Sequence, residues 1–197
     1  MGRSPRADRR HPQWLLAAFA RIRDDFPGAR LIIAGPDEGV RANLQQFVQT
    51  HGLESRVQFP GTVSGEEKTK TLQSADVFAL TSHSEGLPNA VIEGLGHGLA
   101  MLLTHRCNVP EVTEYQAGHV VDAAVDPIEM GLRALLEDAE HRQQCQQNAR
   151  RLAVERFELT KVVDDLEQLY RGLTGSRTVS PMLAERQATE SLGSLRG

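Results

Sequence analysis

Two carboxylates, Glu85 and Glu93, stand eight positions apart in the stretch Ser84-Glu85-Gly86-Leu87-Pro88-Asn89-Ala90-Val91-Ile92-Glu93-Gly94-Leu95-Gly96-His97-Gly98. The apolar run Val77-Phe78-Ala79-Leu80 comes directly before it, so the order reads as a strand, a turn through Gly86, Pro88 and Asn89, and the opening of a helix. Such a junction offers backbone N–H groups and the positive end of a helix dipole to an anion, which suits a phosphate or pyrophosphate without calling for a metal. An ionised glutamate only accepts hydrogen bonds, and can take two hydroxyl donors of the kind a ribose or a sugar ring offers. The combination fits the two ends of a nucleotide sugar.

Other residues capable of chemistry have simpler readings. His83 and His97 flank the motif and read as packing or hydrogen-bonding residues. His51, His105 and His119 have no metal-ligand spacing with the cysteines. Asp76 reads as the end of a helix or the beginning of a strand. Glu111 could reach the rim of the site, but Pro110-Glu111 equally forms a helix start. Trp14 lies beside an apolar helical face and reads as core. No Asp-x-Asp occurs, so a metal-clamped diphosphate is not suggested and no metal or other cofactor is expected.

Composition narrows the classes of function. At 197 residues there is room for one ordinary domain with a proper core, or a little more. With 40% apolar and 24% charged residues the chain has a globular composition. A net charge of -4 and 5% aromatics supply neither the field nor the stacking platforms of a nucleic-acid surface, so no nucleic-acid partner is expected. The two cysteines, Cys107 and Cys145, lie far apart and read as incidental thiols of a reduced, cytoplasmic protein. No apolar run reaches the ~18 residues of a membrane span, and Met1-Gly-Arg-Ser-Pro-Arg is not followed by the apolar stretch of a secretory signal. Peripheral membrane association is left open.

The elements that must position the carboxylates alternate along the chain. Leu15, Ala18, Phe19, Ile22 and Phe26 fall at helical spacing up to Pro27-Gly28, and Leu31-Ile32-Ile33-Ala34 then reads as a fully buried strand closed by Gly35-Pro36. Val40, Leu44, Phe47 and Val48 make a helix face, and Val57-Gln58-Phe59 a short strand before Pro60-Gly61. Ser64 and Glu67 have the spacing of a capping box for a helix reaching about Ser74. Val77 to Leu80, Ala100 to Leu103 and His119 to Val121 are further strands. Asp126, Pro127 and Glu129 read as N-cap, N1 and N3 of a helix carrying Ile128, Leu132, Leu135 and Leu136. Two more helices carry Cys145, Ala149, Leu152 and Ala153, then Val162, Val163, Leu166, Leu169, Tyr170 and Leu173. Continuous apolar strands between amphipathic helices predict an α/β domain, a Rossmann-like doubly wound parallel sheet covered on both faces. The predicted organisation is an irregular basic segment over 1–11, one domain over 12–174 and a flexible tail over 175–197.

Leu31 to Pro36, Arg56 to Gly61, Ala75-Asp76-Val77, Ser82 to Gly98 and Val109-Pro110-Glu111, taken together, resemble the C-terminal, donor-binding half of family 4 retaining glycosyltransferases of GT-B fold, over about Pro12 to Leu173. The resemblance implies that Glu93 accepts hydrogen bonds from the ribose hydroxyls of an NDP-sugar, with UDP the nucleotide. It implies that Glu85 is catalytic and contacts hydroxyls of the transferred sugar, while Gly86, Leu87, Pro88 and Asn89 bring backbone to the sugar and pyrophosphate. A side chain at Gly86 would hold the ligand away from that backbone. Gly35 and the Pro60-Gly61-Thr62-Val63 turn lie at C-terminal strand ends, where open α/β sheets bind ligands, and would wall the base pocket. Catalysis in such enzymes is mostly electrostatic, through fixed donors aimed at the leaving diphosphate.

The same resemblance sets a departure beside the match. The family's donor domain opens with a strand ending in Gly-Arg and then a Lys that, with the Arg, binds diphosphate. Aligning Pro12 to Phe19 with the following helix puts Arg10 near the lysine position, and Arg binds phosphate with a different geometry. Gly2-Arg3 sits about two residues upstream of the expected Gly-Arg. No apolar strand precedes it, and family order puts that strand between Leu31–Ala34 and Val77–Leu80. Arg3, Arg6, Arg9 and Arg10 equally read as a solvated basic tail. The expectation is a fragment, inactive alone, whose acceptor glycan, lipid or small molecule is met through an N-terminal domain that this sequence does not contain. Two alternatives are a non-catalytic nucleotide-sugar-binding or interaction module, and a nucleotide-sugar epimerase, against which the Glu85–Glu93 arrangement argues.

Overall fold

In the computed structural model the apolar spacing around Leu15 becomes α1 (Pro12–Ile22), which starts on Pro12 and buries Leu15, Leu16, Ala18, Phe19 and Ile22. Proline is tolerated there because the first helical N–H has no intrahelical partner. The structure describes residues 11–158 except 38, 83–85 and 87, together with 163, 168 and 170. The chain divides into two units, Met1–Glu158 and Leu159–Gly197. Within the second, residues 163, 168 and 170 are helical. The other residues of the last expected helix, and the tail over 175–197, lie outside the described residues, as do residues 1–10.

The first unit alternates strand and helix. After α1 come β1 (Leu31–Ala34), α2 (Arg41–Thr50), β2 (Val57–Gly61), α3 (Gly65–Gln73), β3 (Val77–Leu80), α4 (Asn89–Gly96) and β4 (Ala100–Thr104). Then follow a 3-10 turn over His105–Cys107, α5 (Glu111–Glu114), β5 (Gly118–Val121), α6 (Val125–Glu137), α7 (Ala139–Leu152) and a π-type turn over Ala153–Phe157. All strand pairs are parallel. β1 pairs with β2, opposing Leu31 to Val57, and β3, β4 and β5 form a second sheet that opposes Val77 to Ala100 and Met101 to Gly118. Among the described residues β1 and β3 are not hydrogen-bonded to each other. It is between these two that the family order puts a further strand.

The two faces of β3 and β4 feed separate cores, as side chains alternating along a strand must. Val77, Ala79, Ala100 and Leu102 pack with residues of α1, α2 and α6, whereas Phe78, Leu80, Met101 and Leu103 pack with residues of α4, α5 and α7. Helices therefore cover both faces of the larger sheet, which is the doubly wound architecture expected. β4 is buried along its whole length. β1 is not: Leu31 and Ile33 reach the core, but Ile32 is 38% exposed. The expected full burial of this strand fails because β1 lies in a two-stranded sheet, with only one lateral partner among the described residues.

Two expected helix starts differ in detail. Ser64 does precede α3 in an extended conformation, but its side chain makes no cap hydrogen bond, so there is no capping box with Glu67. α6 begins at Val125 with Ala124 as its N-cap, two residues ahead of the expected start. Asp126 is already inside the helix, and its Oδ1 accepts from Arg21 Nη1 of α1 at 2.6 Å. Glu129 joins the same arginine at 3.2 Å, so the acids read as a cap instead tie α6 to α1. Both cysteines are buried.

Candidate functional site

The C-terminal ends of β1, β2 and β3 open into a cleft of about 160 Å³, lined among others by Gly35, Asp37, Arg41, Phe59, Gly61 and Thr81. Gly35 N donates to Gly61 O at 2.8 Å, which brings together two of the residues expected to wall a base pocket. Gly61 has φ of 84°, a left-handed conformation that costs a side-chain-bearing residue roughly 1–2 kcal/mol. Val63, the third expected wall residue, is half-buried and does not line the cleft. The volume is below the roughly 300–1,000 Å³ of a pocket that encloses a whole small ligand, so this cleft can take only one end of a nucleotide sugar.

Arg41 and Thr81 also line the cleft. Arg41 opens α2, and its Nη2 donates to Phe59 O at 2.6 Å, which ties the helix start to β2. Asp37 Oδ1 accepts from the N–H groups of Gly39 and Arg41 at 2.8 and 3.3 Å and so closes the turn between β1 and α2. Thr81 is buried, and its hydroxyl donates to His11 O at 2.8 Å while its carbonyl accepts from His11 N at 2.9 Å. Neither residue carries a signal in the sequence. Arg41 reads as one more surface charge, and Thr81 as the end of a strand.

The second half of the site is α4. Pro88, buried and extended, precedes its first residue, and Asn89 and Gly86 are exposed. Among the described residues, its chain neighbours apart, no atom lies within 4 Å of where a Cβ on Gly86 would stand. The carboxylate of Glu93 is 39% exposed, and its Oε1 accepts from Lys68 Nζ of α3 at 2.7 Å. Among the described residues Oε2 has no hydrogen-bond partner. His97 Nδ1 lies 2.9 Å from the backbone carbonyl of Glu93, at the end of the same helix, so it acts as a local hydrogen-bonding residue as expected. Gly94 lets α4 press onto β3, since a Cβ there would stand 2.9 Å from Phe78 Cγ.

Glu85, Leu87, Arg10, His83 and the basic residues Arg3, Arg6 and Arg9 lie outside the described residues. The chain is anchored just before Glu85. Ser82 N donates to Thr104 Oγ1 at 3.0 Å, and that hydroxyl donates back to Ser82 O at 2.7 Å, with both residues fully buried. Among the described residues no group of three or more His, Cys, Asp or Glu side chains is arranged to hold a metal ion. No helix among them is long and apolar enough to cross a membrane.

A family of known proteins, described as "Glycosyl transferases group 1", matches residues 6–152. The chain belongs to this family. Among curated relatives it is 34% identical over 93 residues to an uncharacterized glycosyltransferase of Methanocaldococcus jannaschii, covering 47% of this chain and 22% of the relative. It is 28% identical over 133 residues to the sulfoquinovosyl transferase of Arabidopsis thaliana, covering 65% of this chain and 25% of that one. The chain thus spans about a quarter of the length of these two relatives. Among solved structures, the C-terminal domain of a group 1 glycosyl transferase, LpcC, from Francisella tularensis superposes with a TM-score of 0.69 at 20% identity, covering 81% of this chain and 84% of that one. Anabaena HepE in complex with UDP superposes with a TM-score of 0.72 at 18% identity, covering 83% and 45%. The fold of this glycosyl transferase group 1 member is that of GT-B glycosyltransferases, with helices on both faces of parallel strands.

Proposed function

We propose that this chain forms the donor-binding part of a retaining glycosyltransferase of hexosyltransferase type, working from an NDP-sugar with UDP as the nucleotide. The observation that carries the reading is Glu93: a half-exposed carboxylate on the helix after β3, held through one oxygen and with the other open. Such a group is an acceptor for vicinal ribose hydroxyls. The solved structure of HepE with UDP, of the same fold, supports the nucleotide. The cleft around Gly35 and Gly61 would take the base, and the start of α4 would face the diphosphate with its N–H groups.

In this reading Glu85 contacts the transferred sugar, Gly86 to Asn89 bring backbone to it, and Arg10 meets the diphosphate. The start of α4 then does its chemical work as the sugar–phosphate bond breaks: fixed dipoles stabilise the charge gathering on the leaving diphosphate and need not reorganise. An acceptor glycan, lipid or small molecule would complete the reaction. A cytoplasmic location belongs to the same reading.

Calorimetry of the chain with UDP, GDP and ADP tests the assignment. UDP should bind, and Glu93→Ala should weaken it about tenfold or more, the worth of hydrogen bonds to a charged acceptor. Absence of binding by all three nucleotides, or an unchanged UDP affinity in the variant, overturns it.

A further inference from the structure

We infer that Lys68 is a positioning residue for the donor nucleotide, acting through Glu93. The inference rests on the reading of Glu93 given above and extends it to a residue on a different helix. Lys68 lies in the first turn of α3, which follows directly on the turn after β2, and its ammonium stands 2.7 Å from Glu93 Oε1. α3 has no fully buried residue, so its place is set by few packing contacts and this ion pair ties it to α4. The second ion pair of α3, Lys70 with Glu66, is internal to the helix and exposed, and ties it to nothing else.

A glutamate side chain has three rotatable bonds, and at 39% exposure packing does not lock them. Lys68 supplies the missing constraint. It engages one carboxylate oxygen and leaves Oε2, with its lone pairs, without a partner among the described residues and so available to a hydroxyl donor. As an ion pair alone, exposed to this degree on both sides, the contact is worth only about 0–1 kcal/mol to the fold. Its consequence therefore falls on binding more than on stability.

The test is a comparison of ligands. UDP and 2′,3′-dideoxy-UDP are titrated calorimetrically into the full chain and into Lys68→Met, Lys68→Arg and Glu93→Ala. Lys68→Met should weaken UDP about fivefold while barely changing dideoxy-UDP, which has no ribose hydroxyls for Glu93 to accept from. Lys68→Arg, which keeps the cation, should restore most of the loss. A loss of the same size for both ligands would assign Lys68 a merely structural or long-range electrostatic role, and an unchanged UDP affinity in Lys68→Met would remove any role; either overturns the inference while the Glu93 reading stands. An unchanged UDP affinity in Glu93→Ala, or no nucleotide binding at all, overturns both.

Discussion

His119 Nε2 of β5 and His141 Nε2 of α7 lie 3.2 Å apart, with the Cys145 thiol 3.7 Å from the same His141 nitrogen. Only one proton can sit between two imidazole nitrogens at that distance, so one ring donates and the other accepts. Burial, and then the charge of His141, lower the pKa of His119 below its usual 6.5, and burial raises that of Cys145, which keeps the thiol protonated. A histidine whose pKa is depressed on folding contributes its full stability above pH 6.5 and loses it as pH falls through the folded value. Thermal unfolding followed between pH 8 and pH 5 should therefore show Tm falling on the acid side, and His119→Gln should flatten that fall. A Tm profile in the variant parallel to that of the unaltered chain would show that His119 does not titrate with folding.

Gly94 separates the requirements of helix and packing. In an isolated helix Gly→Ala is favourable by about 0.8–1.0 kcal/mol. Here the added methyl would meet Phe78 at its Cγ and Cβ, 2.9 and 3.2 Å away, atoms that cannot swing aside by turning the ring. Overpacking of this kind costs about 1–3 kcal/mol, so Gly94→Ala should be net destabilising by about 1 kcal/mol in urea unfolding. Because α4 would be pushed off β3, UDP affinity should fall as well. The double variant with Phe78→Leu should recover part of both, and its failure to do so would remove Phe78 as the cause.

Much of the framework was legible in local sequence, because the strands are short continuous apolar runs bounded by Gly, Pro or Asp. Leu31–Ala34 and Val77–Leu80 agree with the expectation residue for residue. What local pattern does not carry is the identity of distant partners. Asp126 has the appearance of an N-cap, yet the arginine that occupies it is 105 residues away, on α1. Lys68 stands in Gly65-Glu66-Glu67-Lys68-Thr69-Lys70, a run indistinguishable from a solvated helix face until α4 comes to lie beside it. Gly35 and Gly61 could be assigned to one wall because both close strands, a relation that the sheet topology dictates. Arg41 could not, since its contact with Phe59 depends on the start of α2 folding back over β2.

Thr104 gives a last test, one that joins the core to the site. Its hydroxyl both donates to and accepts from the Ser82 backbone, just after the end of β3 and ahead of Glu85 in the sequence. Valine has almost the same shape but can do neither, so Thr104→Val removes both Ser82 bonds, and with them the 3.6 Å contact to the Cys107 thiol, from a fully buried position without opening a cavity. Losing hydrogen bonds to buried polar groups in this way costs about 1–3 kcal/mol. The expected result is an unfolding free energy lowered by that amount, read as a lower denaturation midpoint at an unchanged m-value, because the surface exposed on unfolding is the same. UDP affinity should fall with it, since the chain entering the site at Ser82 loses its anchor. Thr104→Ser, which retains the hydroxyl and loses only a methyl group, separates the two effects: it should keep UDP affinity while costing stability through the small void. Equal losses of affinity in both variants would mean that packing at β4, not the Ser82 bonds, sets the loop.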